Sequence, residues 1–290
     1  MVLFKAFYSN YTTDMARSFG RANLGLVWAD GPRWTSQKNF TVKQLKNFGF
    51  GKKDLEGVIV KEANDLVDHV LGIHGHVLID SYLFGVPALN VLWNMVAGYS
   101  FSREDDELKW LLDLNTFLFK SQTFYVAVTV PWIRYLFPAI SGYNKWLEGV
   151  DGMKNKMRRE IEEHESELDE DSPRDLIDSY LIEMKNNPDD QEFCIEQLIM
   201  ICMDLMSAGS ETTSTTLMWS VLYMVLYPEV QDRCFLEIED SIGQSNVSLD
   251  DFEKLHFCQA TIAEVLRVSQ VAVSTVFHRV SKKVNHKLND

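Results

Sequence analysis

The chain has 290 residues, 46% hydrophobic and 24% charged, which is enough apolar sequence for a sizeable core and too much for a disordered chain. Lys and Arg number 28 against 42 Asp and Glu, a net charge of −14, which argues against a nucleic-acid backbone binder because that needs a basic surface. Four cysteines without a C-x-x-C pair exclude a disulfide scaffold, and no apolar run reaches the ~18 residues of a membrane span.

Helical periodicity dominates. Gly31-Pro32 opens a basic amphipathic helix over 33–48, and a second helix runs over 54–71 and ends near Gly72. Residues 74–80 read as extended or loop. An apolar helix covers 83–98, with Gly98 as its stop. The helix over 104–121 begins with Glu104, Asp105, Asp106 and Glu107, acids that the N-terminal dipole favours. Residues 124–138 are apolar and broken by Pro131 and Pro138, so they read as a loop. A long charged helix follows over 143–166. Ser172-Pro173-Arg174-Asp175 reads as a helix start with a serine cap, and that helix runs to about Lys185.

Residues 191–226 are apolar on most faces and predict a central helix. Within them the run 198–206 is interrupted by Asp204. Pro228 opens a further helix to about Ile242, Ser248 with Asp251 forms another cap, and a helix follows around 259–270. Only 271–277 looks strand-like. The whole reads as one mainly α domain over 1–290, without repeats or linkers. Residues 31–53 hold Arg33, Lys38, Lys43, Lys46, Lys52 and Lys53 and no acid, whereas 160–175 holds nine acids. Both read as solvated helix faces, and the basic one also as a docking face for an acidic partner.

Ala208-Gly209-Ser210-Glu211-Thr212-Thr213 interrupts the apolar helix. A carboxylate and hydroxyls there are costly unless partnered or used. Gly209 lets a ligand or water approach the backbone, and a threonine can compete for a backbone carbonyl. The set reads either as a proton relay or as a polar stripe where the helix surfaces. Glu264 and Arg267 stand at i, i+3, neighbours on one face, and alone read as a surface ion pair. Trp34 and Lys38 at i, i+4 form a carboxylate clamp or a packed indole beside a solvated amine. His278-Arg279 reads as an anion contact or a solvated turn.

In order along the chain stand GLVWADGPRW (25–34), PRDLIDSYL (173–181), DLMSAGSETTS (204–214), YPEVQ (227–231) and EVLR (264–267). This set resembles the cytochromes P450, the haem-thiolate monooxygenases, in the microsomal type similar to animal family-two enzymes. The resemblance implies a mainly α, partial P450 fold from about the C helix through the K helix. It makes Glu211 and Thr212 the catalytic acid–alcohol pair that delivers protons during dioxygen activation. Haem b is the implied cofactor, with Trp34, Lys38, Ala208, Gly209 and His278 around it and Glu264–Arg267 as a structural clamp. Lys38 stands where the family usually has arginine.

The same resemblance implies a small lipophilic substrate, touched by segments near 15–27, the start of the helix over 104–121, the region of Ala208, and 271–277. It implies an NADPH-dependent flavoprotein reductase as partner, docking on the basic helix. It further implies contact of 124–138 with a membrane surface at the cytosolic face of the endoplasmic reticulum, and no nucleic acid. The family's axial cysteine has glycine two residues later. Here Cys194, Cys202, Cys234 and Cys258 are followed at that distance by Glu196, Asp204, Leu236 and Ala260. The expectation is therefore a chain without the haem-thiolate loop and final helix, inactive alone. The alternative is a non-enzymatic helical protein that binds a reductase or other partner.

Overall fold

The computed structural model describes residues 24–27, 29–74, 81–120, 132–243, 245 and 247–271. Among these residues every regular element is helical: α1 (Gly31–Asn47), α2 (Glu56–Gly72), α3 (Ser81–Ala97), α4 (Asp106–Lys120), α5 (Ile133–Leu136), α6 (Tyr143–Glu167), α7 (Leu176–Asn186), α8 (Ile195–Leu226), α9 (Pro228–Ser241) and α10 (His256–Ser269). Short 3₁₀ turns at Lys53–Leu55 and Leu249–Lys254 precede α2 and α10.

The long helix α8 is the axis. It packs against α3, α6, α10, α9 and α4. Its first three turns have no exposed face: 197–203 and Met206 are all buried, among Leu89, Trp93 and Val96 of α3, Met153 and Met157 of α6, and Tyr180 of α7. From Ser207 onward one side of the helix surfaces, and Leu217, Leu222, Val225 and Leu226 are exposed. The expectation of an apolar central helix therefore holds for its first three turns.

Pro87 lies inside α3, where its ring removes the N–H that would reach the carbonyl four residues back. That carbonyl, on Leu83, accepts from Arg103 Nη1 at 3.4 Å. Asn90, buried on the same helix, donates to Glu62 Oε2 (2.9 Å) and Phe101 O (3.0 Å) and accepts from Phe101 N–H (2.9 Å). One amide thus ties α2, α3 and the chain after α3 together.

Three expectations are corrected. The helix after 172 begins at Leu176, with Asp175 and not Ser172 as its cap. Asp175 Oδ1 accepts from Asp178 N–H at 2.9 Å, and Oδ2 meets His164 Nε2 at 3.1 Å. A buried carboxylate that serves both a helix start and an imidazole outcompetes a solvent-facing serine. Second, the acidic run over 160–175 is not all solvated: Glu160 and Asp175 are buried. Glu160 Oε2 accepts from Tyr99 Oη (3.0 Å) and pairs with Lys156 Nζ (3.2 Å).

Third, the last helix begins at His256, ahead of 259. Its first free N–H groups, on Phe257 and Cys258, donate to Glu237 of α9 at 2.8 Å each, a cap supplied from another helix. The Ser248–Asp251 capping box is present and heads the 3₁₀ turn. The expectations for 75–80, 124–131 and 272–277 lie outside the described residues.

Candidate active site

Position 208 marks where α8 leaves the core, and there the polar motif sits. Ala208 and Thr212 are exposed and Glu211 is half-buried. At four-residue spacing, Ala208 and Thr212 lie within about 40° on one face. Thr212 Oγ1 donates to Ala208 O at 2.6 Å, and Thr216 Oγ1 donates to Thr212 O at 2.9 Å. Threonines that back-bond in this way hold their side chains in one rotamer and loosen the helix locally. The hydroxyl oxygen of Thr212 keeps its lone pairs for an outside donor.

Gly209 does not open the backbone to a ligand. A Cβ there would stand 2.6 Å from Leu92 Cδ2, so the space over Gly209 is filled by that side chain of α3. Ser210 behind it is buried, donates to Met206 O (2.8 Å) and accepts from Asn115 Nδ2 (3.2 Å). The motif therefore divides by face: Gly209 and Ser210 pack inward, while Ala208 and Thr212 face out.

On α1, the indole N–H of Trp34 donates to Leu26 O at 3.1 Å, so its donor is already used. Lys38 Nζ lies 5.7 Å from the Trp34 ring centroid, within cation–π range, and donates to Asn39 Oδ1 at 3.2 Å. The structure brings Trp34 and Lys38 together with only the amine free to turn outward. The helix is oriented by buried Gln37, which donates to Glu192 O (3.0 Å) and accepts from Tyr180 Oη (2.9 Å).

Glu264 and Arg267 form a two-pronged pair on α10, with Arg267 Nε donating to Oε2 at 2.7 Å and Nη2 to Oε1 at 2.5 Å. Both side chains are exposed. An apolar cavity of about 400 Å³ lies between α8, α9 and α10, with Tyr223, Tyr227, Phe257 and Glu264 among its lining. Tyr223 is eleven residues beyond Thr212, about 16 Å along the helix, so this cavity is separate from the Ala208 face. His278 lies outside the described residues.

Sequence reasoning missed two residues. Gln197 and Asp204 reach from α8 to the chain before α1. Gly25 N–H donates to Gln197 Oε1 and Gln197 Nε2 donates to Gly25 O, each at 3.1 Å. Leu26 and Val27 N–H donate to Asp204 Oδ2 at 2.6 and 2.9 Å. Burial raises the Asp204 pKa to about 6, against the pull of those two N–H groups. The signal was present: a carboxylate in an otherwise apolar run.

The four cysteines lie elsewhere. Cys202 is fully buried, and burial pushes its thiol well above the ordinary range. Cys258 is raised to about 12 by burial and by Glu237, and its Sγ lies 3.7 Å from Cys234 O. Cys194 stands just before α8 and makes no side-chain capping bond. A buried trio of His164, Asp175 and Asp178 has metal-ligand chemistry, but its own bonds close it. His164 is held between Glu160 O (2.7 Å) and Asp175, and Arg174 grips both oxygens of Asp178.

The cytochrome P450 family profile matches residues 3–290. The chain is 34% identical over 265 residues to farnesoate epoxidase of Bombyx mori, covering 90% of this chain and 53% of that protein. It is 32% identical over 271 residues to cytochrome P450 2L1 of Panulirus argus (90% and 55%). It is 31% identical over 286 residues to cytochrome P450 2B9 of Mus musculus (95% and 57%). The chain belongs to the cytochrome P450 family and spans a little over half the length of these relatives. Haem is the cofactor of that family.

The residues present fit one side of a haem. A flat macrocycle beside α8 needs a strip without bulky side chains, and exposed Ala208 with exposed Thr212 supplies it. None of the four cysteines shares that strip among the described residues, so the strip itself carries no thiolate.

Proposed function

We propose that this chain supplies the oxygen-side wall of a haem-dependent monooxygenase that inserts one atom of dioxygen into a lipophilic substrate. The observation that carries it is the strip on α8 where the helix leaves the core: a small exposed residue at 208 and an exposed, rotamer-fixed hydroxyl at 212. Bound haem would supply dioxygen activation. The chain's part is to shape one face and handle protons. Ala208 keeps that face flat. Thr212 Oγ1 accepts a hydrogen bond from outside while its own hydrogen stays on Ala208 O, and Glu211 beside it holds and returns protons. Lys38 offers its charge to a haem propionate, as an ammonium without the guanidinium fork.

A lipophilic substrate is supported by the apolar side chain of Val27 near this face and by the similarity to the Bombyx farnesoate epoxidase. We place the reductase-docking surface on exposed Lys43 and Lys46 of α1. The setting we propose is the cytosolic face of the endoplasmic reticulum. No helix among the described residues is long and apolar enough to cross a membrane. We also propose that the residues of this chain do not complete the reaction alone, because its cysteines are buried, protonated or remote from Ala208.

Titrating the chain with haemin tests the reading. Ala208→Phe should weaken binding about tenfold or more by filling the strip, whereas Thr212→Val should leave it within about twofold. Equal affinity of Ala208→Phe and the unsubstituted chain would overturn the proposal.

A further inference from the structure

Asp204 lies four residues before Ala208 and eight before Thr212, so all three share one flank of α8, about 6 and 12 Å apart along the axis. What Asp204 holds is backbone. Its Oδ2 takes the N–H groups of Leu26 and Val27 at 2.6 and 2.9 Å, and one turn pair earlier Gln197 makes two bonds with Gly25 at 3.1 Å. Four hydrogen bonds from two side chains therefore fix three consecutive residues of a loop. Gln197 is fully buried and Asp204 half-buried. Gly25 suits the arrangement twice over: its φ is +77°, and a Cβ would meet Asp204 Oδ2 at 2.4 Å. The held loop in turn carries Leu26 O, the acceptor for the Trp34 indole at 3.1 Å.

We infer that Gln197 and Asp204 are positioning residues: a clamp on α8 that fixes 25–27 as the wall at one end of the Ala208–Thr212 face and sets where Trp34 stands on α1. The clamp itself rests on the hydrogen bonds. Its role as a substrate wall rests on the function proposed above. The acceptor oxygen matters and the charge does not, since one oxygen receives both N–H groups. The amide of asparagine can replace the carboxylate there, and leucine cannot. With its polar groups spent on the helix, the loop leaves apolar side chains for the ligand space: Val27 is 40% exposed.

The test compares Asp204→Asn, Asp204→Leu, Gln197→Leu and Gly25→Ala in the 290-residue chain. Two quantities are read: amide hydrogen exchange over 24–27 and affinity for laurate as a lipophilic probe. Asp204→Leu, Gln197→Leu and Gly25→Ala should speed exchange at Leu26 and Val27 by about tenfold or more, with exchange over 198–203 unchanged. Asp204→Asn should stay within about threefold of the parent. Laurate affinity should move about fivefold in the three loosened variants and stay put in Asp204→Asn. Gly25→Ala lies outside α8, so it carries the test even if a helix variant fails to fold.

Unchanged exchange in Gly25→Ala and Gln197→Leu overturns the clamp. Loosening in Asp204→Asn equal to that in Asp204→Leu overturns the claim that the acceptor is what matters. Normal protection at 24–27 with no laurate binding by the parent overturns the wall, and with it the substrate reading, while the clamp stands.

Discussion

His164 is the residue whose chemistry is most at odds with its surroundings. It is buried on α6, yet both ring nitrogens face acceptors, Glu160 O at 2.7 Å and Asp175 Oδ2 at 3.1 Å. Only the imidazolium can donate to both. Burial opposes the charge, but the Asp175 bond and charge, with Glu160, outweigh it and raise the pKa to about 9 from 6.5. The folded pKa lies above the unfolded one, so this contribution is fully present below pH 6.5 and lost as pH rises through 9. The chain should lose on the order of 2 kcal/mol of stability between those limits. His164→Gln should flatten that part of the curve in urea unfolding at several pH values. A variant that keeps the full slope would place the titration elsewhere.

None of this was visible in the acidic run over 160–175, because charge count does not say which carboxylates turn inward. Glu160 and Asp175 do so because Lys156, Tyr99 and His164 await them. Asp204 was different. Its cost in an apolar run was legible, and only its partners, N–H groups some 180 positions earlier in sequence, were not.

At the scale of elements, most helices were legible because each buries one stripe and ends at a glycine, a proline or a cap. The boundaries that shifted did so under tertiary control. α7 starts where Asp175 can bond His164, and α10 starts where Glu237 of α9 can cap it. The α3–α8 contact is the tightest of these dependencies, with Leu92 filling the space over Gly209. Gly209→Val should destabilise the chain by about 1–3 kcal/mol through overpacking against Leu92, measured by thermal or urea unfolding. Pairing it with Leu92→Ala should recover part of that loss. A Gly209→Val chain as stable as the parent would show that the close approach has slack.

For the whole molecule, the motif order identified the family, and the matches to known P450s agree with it over nearly the full chain. What the order could not tell is how the motif on α8 divides. Gly209 and Ser210 serve the packing, Ala208 and Thr212 face outward, and Gln197 with Asp204 hold the loop alongside. The E-x-x-R pair is formed but exposed on α10, as is the apolar second half of α8. On the function proposed above, the described residues form one flank of a haem pocket and the scaffold behind it.

On the proposed function this chain provides one wall of that pocket and not its thiolate. The reduced, carbon-monoxide difference spectrum of the 290-residue chain, loaded with haem, tests it most directly. Cys202 is sealed in the core and Cys258 is held protonated beside α9, so the account predicts no thiolate-type Soret band. A thiolate-type band that disappears when Cys194, Cys202, Cys234 or Cys258 is replaced by alanine would contradict it.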